Sequence, residues 1–310
     1  MKTSQRAYHE SDQEAVLQLL LETRSGTSPQ RYPTFWRLRQ ELATRLWEPE
    51  QDAHIWENTR GQMLAAAALV SRTPDALSRH IEYVIHPQVN QRNIFTEILA
   101  WADTRVLEKS VQYQATYTLS ASHDVEKKEH SGLLEAHGYM LNNRAYDLYM
   151  SCHLATSRIL PLKVEGFTLR SLDGLKELGA YMELFGFAAM TREHRSELLA
   201  HPNEYAHIVA VTPDNTMVAY CEVSISRQEW ARQSRHIGWV DYIGTKEQFQ
   251  RRGLGHALLL HGLRRLQDWG AECAMLITMG TNTTAQRAFK SVGFLPAEQG
   301  FFYEKQIEPR

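Results

Sequence analysis

Hydrophobic positions in the C-terminal third of the chain follow strand and helix periods in turn. The segment Trp239–Thr245 is rich in aromatic and β-branched residues, which predicts a strand. The segment Gly255–Trp269 has apolar residues near helical spacing, at Leu258, Leu259, Leu263, Leu266 and Trp269. Gly270 is suited to end this helix in a left-handed conformation. A second apolar strand, Cys273–Met279, follows, so the pattern predicts strand, loop, helix and strand.

The loop between the first strand and the helix is the segment Gln250–Gly255, with glycines at 253 and 255. Its backbone N–H groups are expected to stay unobstructed beside the positive end of the helix dipole, which favours a pyrophosphate. No Gly-Lys-Ser/Thr follows, and the spacing is not that of the dinucleotide fingerprint. The loop therefore predicts a phosphate site of another kind.

Composition narrows the class of protein. The chain has 310 residues, 43% hydrophobic and 23% charged, which suits two domains with cores of their own. A net charge of −2 gives no reason to expect nucleic acid as a partner. The cysteines Cys152, Cys221 and Cys273 and the scattered histidines, His256 and His261 included, lack disulfide or metal spacing. Without an apolar N-terminal segment or a run longer than Met63–Val70, we expect a cytoplasmic protein with no membrane or metal partner.

The two halves of the sequence share an order of landmarks. The strand Gln5–Tyr8 and the helix Glu14–Leu21 correspond to a strand near Gly166–Arg170 and the helix Leu175–Phe185. The strand Ile81–Pro87 and the loop Asn90–Phe95 then stand where Trp239–Thr245 and Gln250–Gly255 stand in the second half. Similar offsets between landmarks predict two copies of one fold, over residues 1–152 and 160–310.

The first copy has lost its glycines. Asn93 and Phe95 replace Gly253 and Gly255, and their side chains would fill the space that phosphate oxygens need. We expect this copy to lack an intact phosphate loop, although an altered second site is an alternative. The segment Ser151–Lys163 contains Pro161 and is predicted to be a linker.

Two motifs resemble those of the GNAT N-acetyltransferase superfamily. The loop Gln250–Gly255 matches its Q/R-x-x-G-x-G/A pattern, and Asn282–Phe294 matches its N-x-x-A-x-x-x-Y-x-x-x-G-F helix except at Phe289. In the first copy, Lys127 and Leu134 stand where the second motif has Asn and Tyr. A degenerate copy followed by an intact one resembles the tandem-GNAT architecture of mycothiol synthases. The resemblance implies α/β folds, each a mixed, mostly antiparallel sheet flanked by helices.

The resemblance also implies acetyl-CoA as co-substrate. Pantetheine would pair with the backbone of Ile243 and Thr245, and Gly244 between them fits a bulge. Arg251, Arg252 and Lys290 are candidates for the outer phosphates, although solvated basic residues explain them almost as well. The expected cofactor-binding residues are Ile243, Gly244, Thr245, Gln250, Arg251, Arg252, Gly253, Leu254, Gly255, Asn282, Ala285, Phe289 and Lys290.

Catalysis needs a base for the acceptor amine. Asp241 is the first candidate, because alternation places it on one strand face with Ile243 and Thr245. Trp239 is the next position on the same face. Glu222, on the predicted strand Met217–Ile225, is the second. Asp241 binding the amine without acting as a base is an alternative.

The departing thiolate benefits from a proton, which relatives commonly take from the tyrosine that Phe289 replaces. Three alternatives are open: Tyr303 or a water donates this proton, the thiolate leaves unaided, or the copy binds acyl-CoA without transferring it. The aromatic group Tyr181, Phe185, Phe187 and Met190 lines the acceptor side or packs in the core.

The sequence therefore predicts an acetyl-CoA-dependent N-acetyltransferase that acts on the primary amine of a small molecule by direct transfer in a ternary complex. A non-catalytic acyl-CoA sensor or scaffold and a protein N-acetyltransferase are the alternatives. The chain is expected to be a monomer or a homodimer.

Overall fold

The protein folds into two compact units. A computed structural model describes residues 3–24, 33–43, 48–71, 76–124, 128–154, 159–185 and 192–309. The first unit comprises residues 1–146 and 299–310, and the second comprises residues 147–298. Each unit is a sheet flanked by helices, which confirms the predicted α/β class.

The first half of the sequence forms a sheet meander, a long helix and a crossover. Its helices are α1 (Gln13–Thr23), α2 (Phe35–Ala43), α3 (Pro49–Asp52), α4 (Gln91–Tyr113) and α5 (Lys128–Ala136). Its strands are β1 (Thr3–Ala7), β2 (Ala53–Asn58), β3 (Met63–Val70), β4 (Ser78–Ile85), β5 (Tyr117–Asp124) and β6 (Met140–His153). Ser151 to His153 continue β6 and pair with β11, so the predicted start of the linker at Ser151 is wrong.

The second half repeats this order. Its helices are α6 (Gly174–Phe185), α7 (Arg192–Leu199), α8 (Arg227–Trp230), α9 (Leu254–Trp269) and α10 (Thr283–Ser291). Its strands are β7 (Thr168–Ser171), β8 (Tyr205–Val211), β9 (Met217–Ile225), β10 (Ile237–Thr245), β11 (Cys273–Met279) and β12 (Leu295–Ile307). Gly270 ends α9 with φ of 96°, as the sequence predicts.

The two units have the same strand order. Strands β1 to β5 are followed in space by β12, and strands β7 to β11 are followed by β6. The first four strands of each unit run antiparallel, and the fourth and fifth are parallel, as helix crossovers require. Each sixth strand is antiparallel to the fifth but comes from the other half of the sequence. The compact units thus exchange their last strands relative to the sequence halves 1–152 and 160–310.

Helix α9 covers one face of the second sheet. Its leucines Leu258, Leu259 and Leu263 are fully buried or nearly so, and each contributes about 1.5–3 kcal/mol of burial free energy. Gly262 lets the helix approach β9, because a Cβ there would lie 2.9 Å from the Cγ1 of Val223. This packing fixes the N-terminus of α9 beside the end of β10.

Candidate functional site

Strands β10 and β11 separate partway along the second sheet. They pair only over Ile237–Trp239 and Cys273–Met275, although β10 continues to Thr245. The Lys246 N–H donates to the Val218 carbonyl at 2.9 Å, so alternation turns the N–H and C=O groups of Ile243 and Thr245 away from β9. Backbone groups of these two residues therefore face the gap between the strands, as their expected role requires.

The loop before α9 leaves backbone donors exposed at the helix N-terminus. Arg251 and Gly253 both have left-handed backbones, with φ of 61° and 81°. Gly253 is the N-cap residue and supplies no side-chain acceptor. The Ala257 N–H makes a bond to the Gly253 carbonyl at 3.0 Å, so the N–H groups of residues 254–256 precede the first intrahelical bond.

The two glycines of this loop border open space. A Cβ at Gly253 or at Gly255 would meet no described atom within 4 Å. Packing within the protein therefore does not require glycine at 255, whereas an anion that approaches the backbone does. Together with the helix dipole, this geometry suits a pyrophosphate.

The equivalent region of the first unit is filled by its own side chains. The Asn90 side chain accepts the Asn93 N–H at 3.1 Å and thereby caps α4. Phe95 is fully buried and stacks on His130 with ring centroids 4.4 Å apart, while the Tyr83 hydroxyl lies 3.3 Å from the His130 Nδ1. Leu134 is buried as well, and Lys127 lies outside the described residues. These contacts support the expected loss of an acyl-CoA loop here.

The basic and polar residues of the loop are exposed. The Arg252 guanidinium lies over the Phe249 ring, 5.4 Å from its centroid, and 3.4 Å from the Gln248 carbonyl. Gln250 donates its side-chain amide to the Thr245 carbonyl at 3.2 Å, which ties the loop to the end of β10. Arg251 and Lys290 are exposed, and Leu254 is buried beneath the loop.

The second motif forms the start and core of α10. The Asn282 side chain caps this helix by accepting the Ala285 N–H at 3.1 Å, which leaves its amide NH2 as the donor for a ligand. Phe289 is buried and packs edge-on against Phe294, with centroids 6.1 Å apart. The Phe289 ring, at the position of the family's tyrosine, is thus part of the hydrophobic core.

Asp241 is the extra residue of a β-bulge. Val240 pairs with Val223 and Tyr242 pairs with Glu222, so Asp241 has no opposite residue on β9. The bulge moves Trp239 to the sheet face of Tyr242 and away from the face of Ile243 and Thr245. The predicted single face for these residues is therefore wrong for Trp239, because alternation is interrupted between them.

The predicted bulge at Gly244 is also wrong, since Gly244 pairs regularly with Tyr220. A Cβ at Gly244 would lie 2.6 Å from the Cε1 of Tyr220 and 2.7 Å from its hydroxyl oxygen. Glycine is required here by the ring that covers it from the neighbouring strand.

Glu222 lies at the centre of a buried polar cluster. It accepts the hydroxyl of Tyr205 at 2.5 Å, the hydroxyl of Tyr181 and the guanidinium of Arg195. Burial alone would raise the pKa of Glu222, but the Arg195 charge and the tyrosine donors hold that pKa below its usual value. Glu222 is fully buried and ionised, and its oxygens are occupied by these hydrogen bonds, so an acceptor amine cannot reach it directly. Its surroundings therefore differ from those of a general base.

The cluster extends to two neighbouring groups. Burial lowers the pKa of His207, 4.0 Å from Glu222, to about 4. Burial, with the charges of Glu222 and Asp241, raises the pKa of Tyr205 well above its usual range. Tyr181 packs in the core, which is the second of the two alternatives given for this aromatic group, whereas Phe187 and Met190 lie outside the described residues. The side chain of Phe185 is not described.

Tyr303 lies in the core of the first unit, on β12 opposite Ala121. It is 6% exposed, and its hydroxyl donates to Glu135 at 3.4 Å. Asp241, Glu222 and the loop before α9 all belong to the second unit, whereas Tyr303 belongs to the first.

This geometry agrees with the comparison to known families, since residues 176–294 match the acetyltransferase (GNAT) family. These residues form a GNAT acetyltransferase domain. Mycothiol acetyltransferase of Pseudarthrobacter chlorophenolicus is 23% identical over 273 residues, which cover 84% of this chain and 80% of the relative. That of Nocardiopsis dassonvillei is 41% identical over 58 residues, 19% of this chain and 18% of the relative.

Two solved structures share the whole fold. A tandem GNAT protein from the clavulanic acid biosynthesis pathway has a TM-score of 0.69 at 15% identity and covers 100% of both chains. A GCN5-related N-acetyltransferase from Sphaerobacter thermophilus has a TM-score of 0.65 at 19% identity, covering 99% of this chain and 96% of its own. The chain therefore shares the tandem GNAT fold of these structures, matches the acetyltransferase (GNAT) family over residues 176–294 and resembles the mycothiol acetyltransferases.

Two further findings bound the site. Over the described residues, no helix is long and apolar enough to cross a membrane. The same residues contain no group of three or more His, Cys, Asp or Glu side chains able to hold a metal ion.

Proposed function

We propose that the second unit transfers an acetyl group from acetyl-CoA to the primary amine of a small molecule, directly and in a ternary complex. The observation that carries this proposal is the open, uncapped N-terminus of α9 beside the gap between β10 and β11. The names of the mycothiol acetyltransferase relatives support a small-molecule amine as the acceptor.

Acetyl-CoA would bind along this gap. Its pyrophosphate would accept hydrogen bonds from the N–H groups of residues 251–255, with Arg251, Arg252 and Lys290 near the outer phosphates. Its pantetheine amides would pair with the backbone of Ile243 and Thr245, as an added strand. The ligand would either displace the Gln250 side chain from the Thr245 carbonyl or bind beside this hydrogen bond.

The reaction needs a base, a site for the oxyanion and an exit for the thiolate. Asp241 would take the amine proton; its position in the part of β10 that no longer pairs with β11 supports this role. The amine nitrogen would then attack the thioester carbon, and a backbone N–H near Ile243 would stabilise the oxygen. The C–S bond breaks as the amide forms, and CoA leaves as a thiolate, which suits the phenylalanine at 289 because a thiol pKa is about 8.5.

Calorimetric titration with acetyl-CoA tests the binding step. One site per chain is expected, and replacement of Gly253 and Gly255 by bulky residues should abolish it. Two sites would show that the first unit also binds, and absence of binding would refute the proposal. An Asp241→Asn variant separates binding from chemistry, because it should keep acetyl-CoA affinity and lose transfer in a screen of amino sugars, amino acids and polyamines.

A non-catalytic acyl-CoA-binding protein is the second candidate, favoured by the buried Phe289. Release of CoA with any amine or peptide, at a rate clearly above the blank, would exclude it. Peptides in the same screen would identify a protein N-acetyltransferase instead.

A further inference from the structure

A polar cavity lies in the second unit, away from the open loop. Its volume is 310 Å³, at the low end of the roughly 300–1,000 Å³ of small-molecule pockets. Its lining comes from β7, β8 and α9, and comprises Arg170, Ser171, Ile208, His261, Arg264, Arg265 and Asp268. Along α9, these residues begin roughly 10 Å beyond Leu254 at 1.5 Å per residue, so the cavity is separate from the pyrophosphate loop.

The arginines of this cavity differ in how their charges are balanced. Arg170 is held by Glu177 through two bonds of 2.6 and 2.7 Å, and Arg264 pairs with Asp268 at 2.5 Å. Arg265 contacts only the Ser171 hydroxyl, at 3.3 Å, and the Trp269 ring, among the described residues. The side chains that line the cavity, together with Glu177, therefore carry a net charge of about +1. The positive charge that no carboxylate balances among the described residues is that of the Arg265 guanidinium.

The remaining polar groups suit an anion with a small organic part. Burial lowers the pKa of His261, although a bond to the Leu162 backbone acts in the opposite direction, so the charged form of this ring is disfavoured. The Ser171 hydroxyl belongs to the lining and carries an O–H that can donate to a ligand, and Ile208 provides an apolar wall. A guanidinium fork matches two oxygens of a phosphate better than it matches a point charge.

We propose that this cavity binds a phosphate dianion, either free phosphate or the phosphate group of a small phosphomonoester, through Arg265. The ligand would displace the long Arg265–Ser171 contact and receive the serine hydroxyl and the guanidinium together. This site is independent of acetyl transfer, so it stands or fails separately from the proposed function.

Calorimetric titrations of the full chain with inorganic phosphate and with glycerol 3-phosphate test the site. Both probes are used at constant ionic strength in the presence of excess CoA, which occupies the open loop if that loop binds it. The Arg265→Gln variant should weaken binding at least about tenfold, the loss expected for one charge-assisted bond. Arg232→Gln, the same charge change at an exposed residue of the second unit, is the matched control and should leave this binding unchanged.

The outcomes distinguish the sources of the ligand. Tighter binding of glycerol 3-phosphate identifies a phosphomonoester, and equal binding identifies free phosphate; both support the site. The Arg265→Lys variant, which keeps the charge but loses the fork, should bind more weakly than the parent protein. Absence of binding to the parent protein, or an equal loss in Arg232→Gln and Arg265→Gln, would overturn the proposal.

Discussion

The buried pair of Glu222 and Arg195 allows a quantitative test of the second unit's energetics. Their side chains are 0% and 1% exposed, so each charge depends on the other for compensation. Replacing Glu222 by Gln leaves an amide oxygen for the tyrosine hydroxyls but removes the counter-charge of a buried guanidinium. Breaking a buried pair in this way costs about 3–5 kcal/mol. For a unit spanning residues 147–298, at about 2–4 °C per kcal/mol, the melting temperature should fall by roughly 6–20 °C.

Chemical denaturation followed by circular dichroism would measure this loss. The control is the double variant Arg195→Met/Glu222→Gln, which removes both charges and keeps the amide oxygen for Tyr181 and Tyr205. Since replacing both charges of a buried pair is often neutral, the double variant should regain at least half of the lost free energy. A loss below about 1 kcal/mol for Glu222→Gln, or a double variant as unstable as the single one, would refute the argument.

Three further predictions use other features of the second unit. Gly244→Ala should weaken acetyl-CoA binding about tenfold by calorimetry, a cost of about 1.4 kcal/mol, because the new methyl collides with the Tyr220 ring; Tyr220→Ala in the same chain should restore affinity. The pKa of His207 is lowered by burial from 6.5 to about 4. Between these values the unfolded chain binds a proton that the folded protein does not, so the free energy of unfolding falls as pH falls through this window. His207→Gln should therefore flatten the dependence of unfolding free energy on pH between 7 and 4, and an unchanged slope would contradict this. A fragment of residues 160–310 should be poorly soluble and inactive, because β11 loses its partner β6; wild-type kinetics of the soluble fragment would disprove this.

The loop and its flanking elements are predictable because their determinants are local. Glycines at 253 and 255 need no long-range partner to leave a helix N-terminus open, and the leucine period of α9 identifies the buried face directly. The expected difference in the first copy can be predicted for the same reason, because the size of the Asn93 and Phe95 side chains follows directly from the sequence. Even so, the cap formed by Asn90 and the stacking of Phe95 on His130 show that the first loop is filled by interactions beyond those two substitutions.

Features of the site that depend on a neighbouring strand are not predictable from one segment. The bulge at Asp241 results from the register of β10 on β9, which no periodicity within β10 reveals. Gly244 is a clear signal in the sequence, but its reason is the Tyr220 ring on the adjacent strand. The role of Glu222 likewise depends on Arg195 and two tyrosines that are distant in sequence, so a carboxylate near the site resembles a base until its partners are known.

The exchanged strands give the first half of the chain a structural role in the second unit. In the second unit, β11 pairs along its whole length with Asp147–His153, which the first half of the sequence supplies. In the first unit, β5 pairs with Gly300–Ile307, which the second half supplies. Loss of either half would expose a long strand edge in the other unit and remove a row of backbone hydrogen bonds. The fold of the second unit therefore depends on residues of the first half of the chain, whether or not that half binds a ligand.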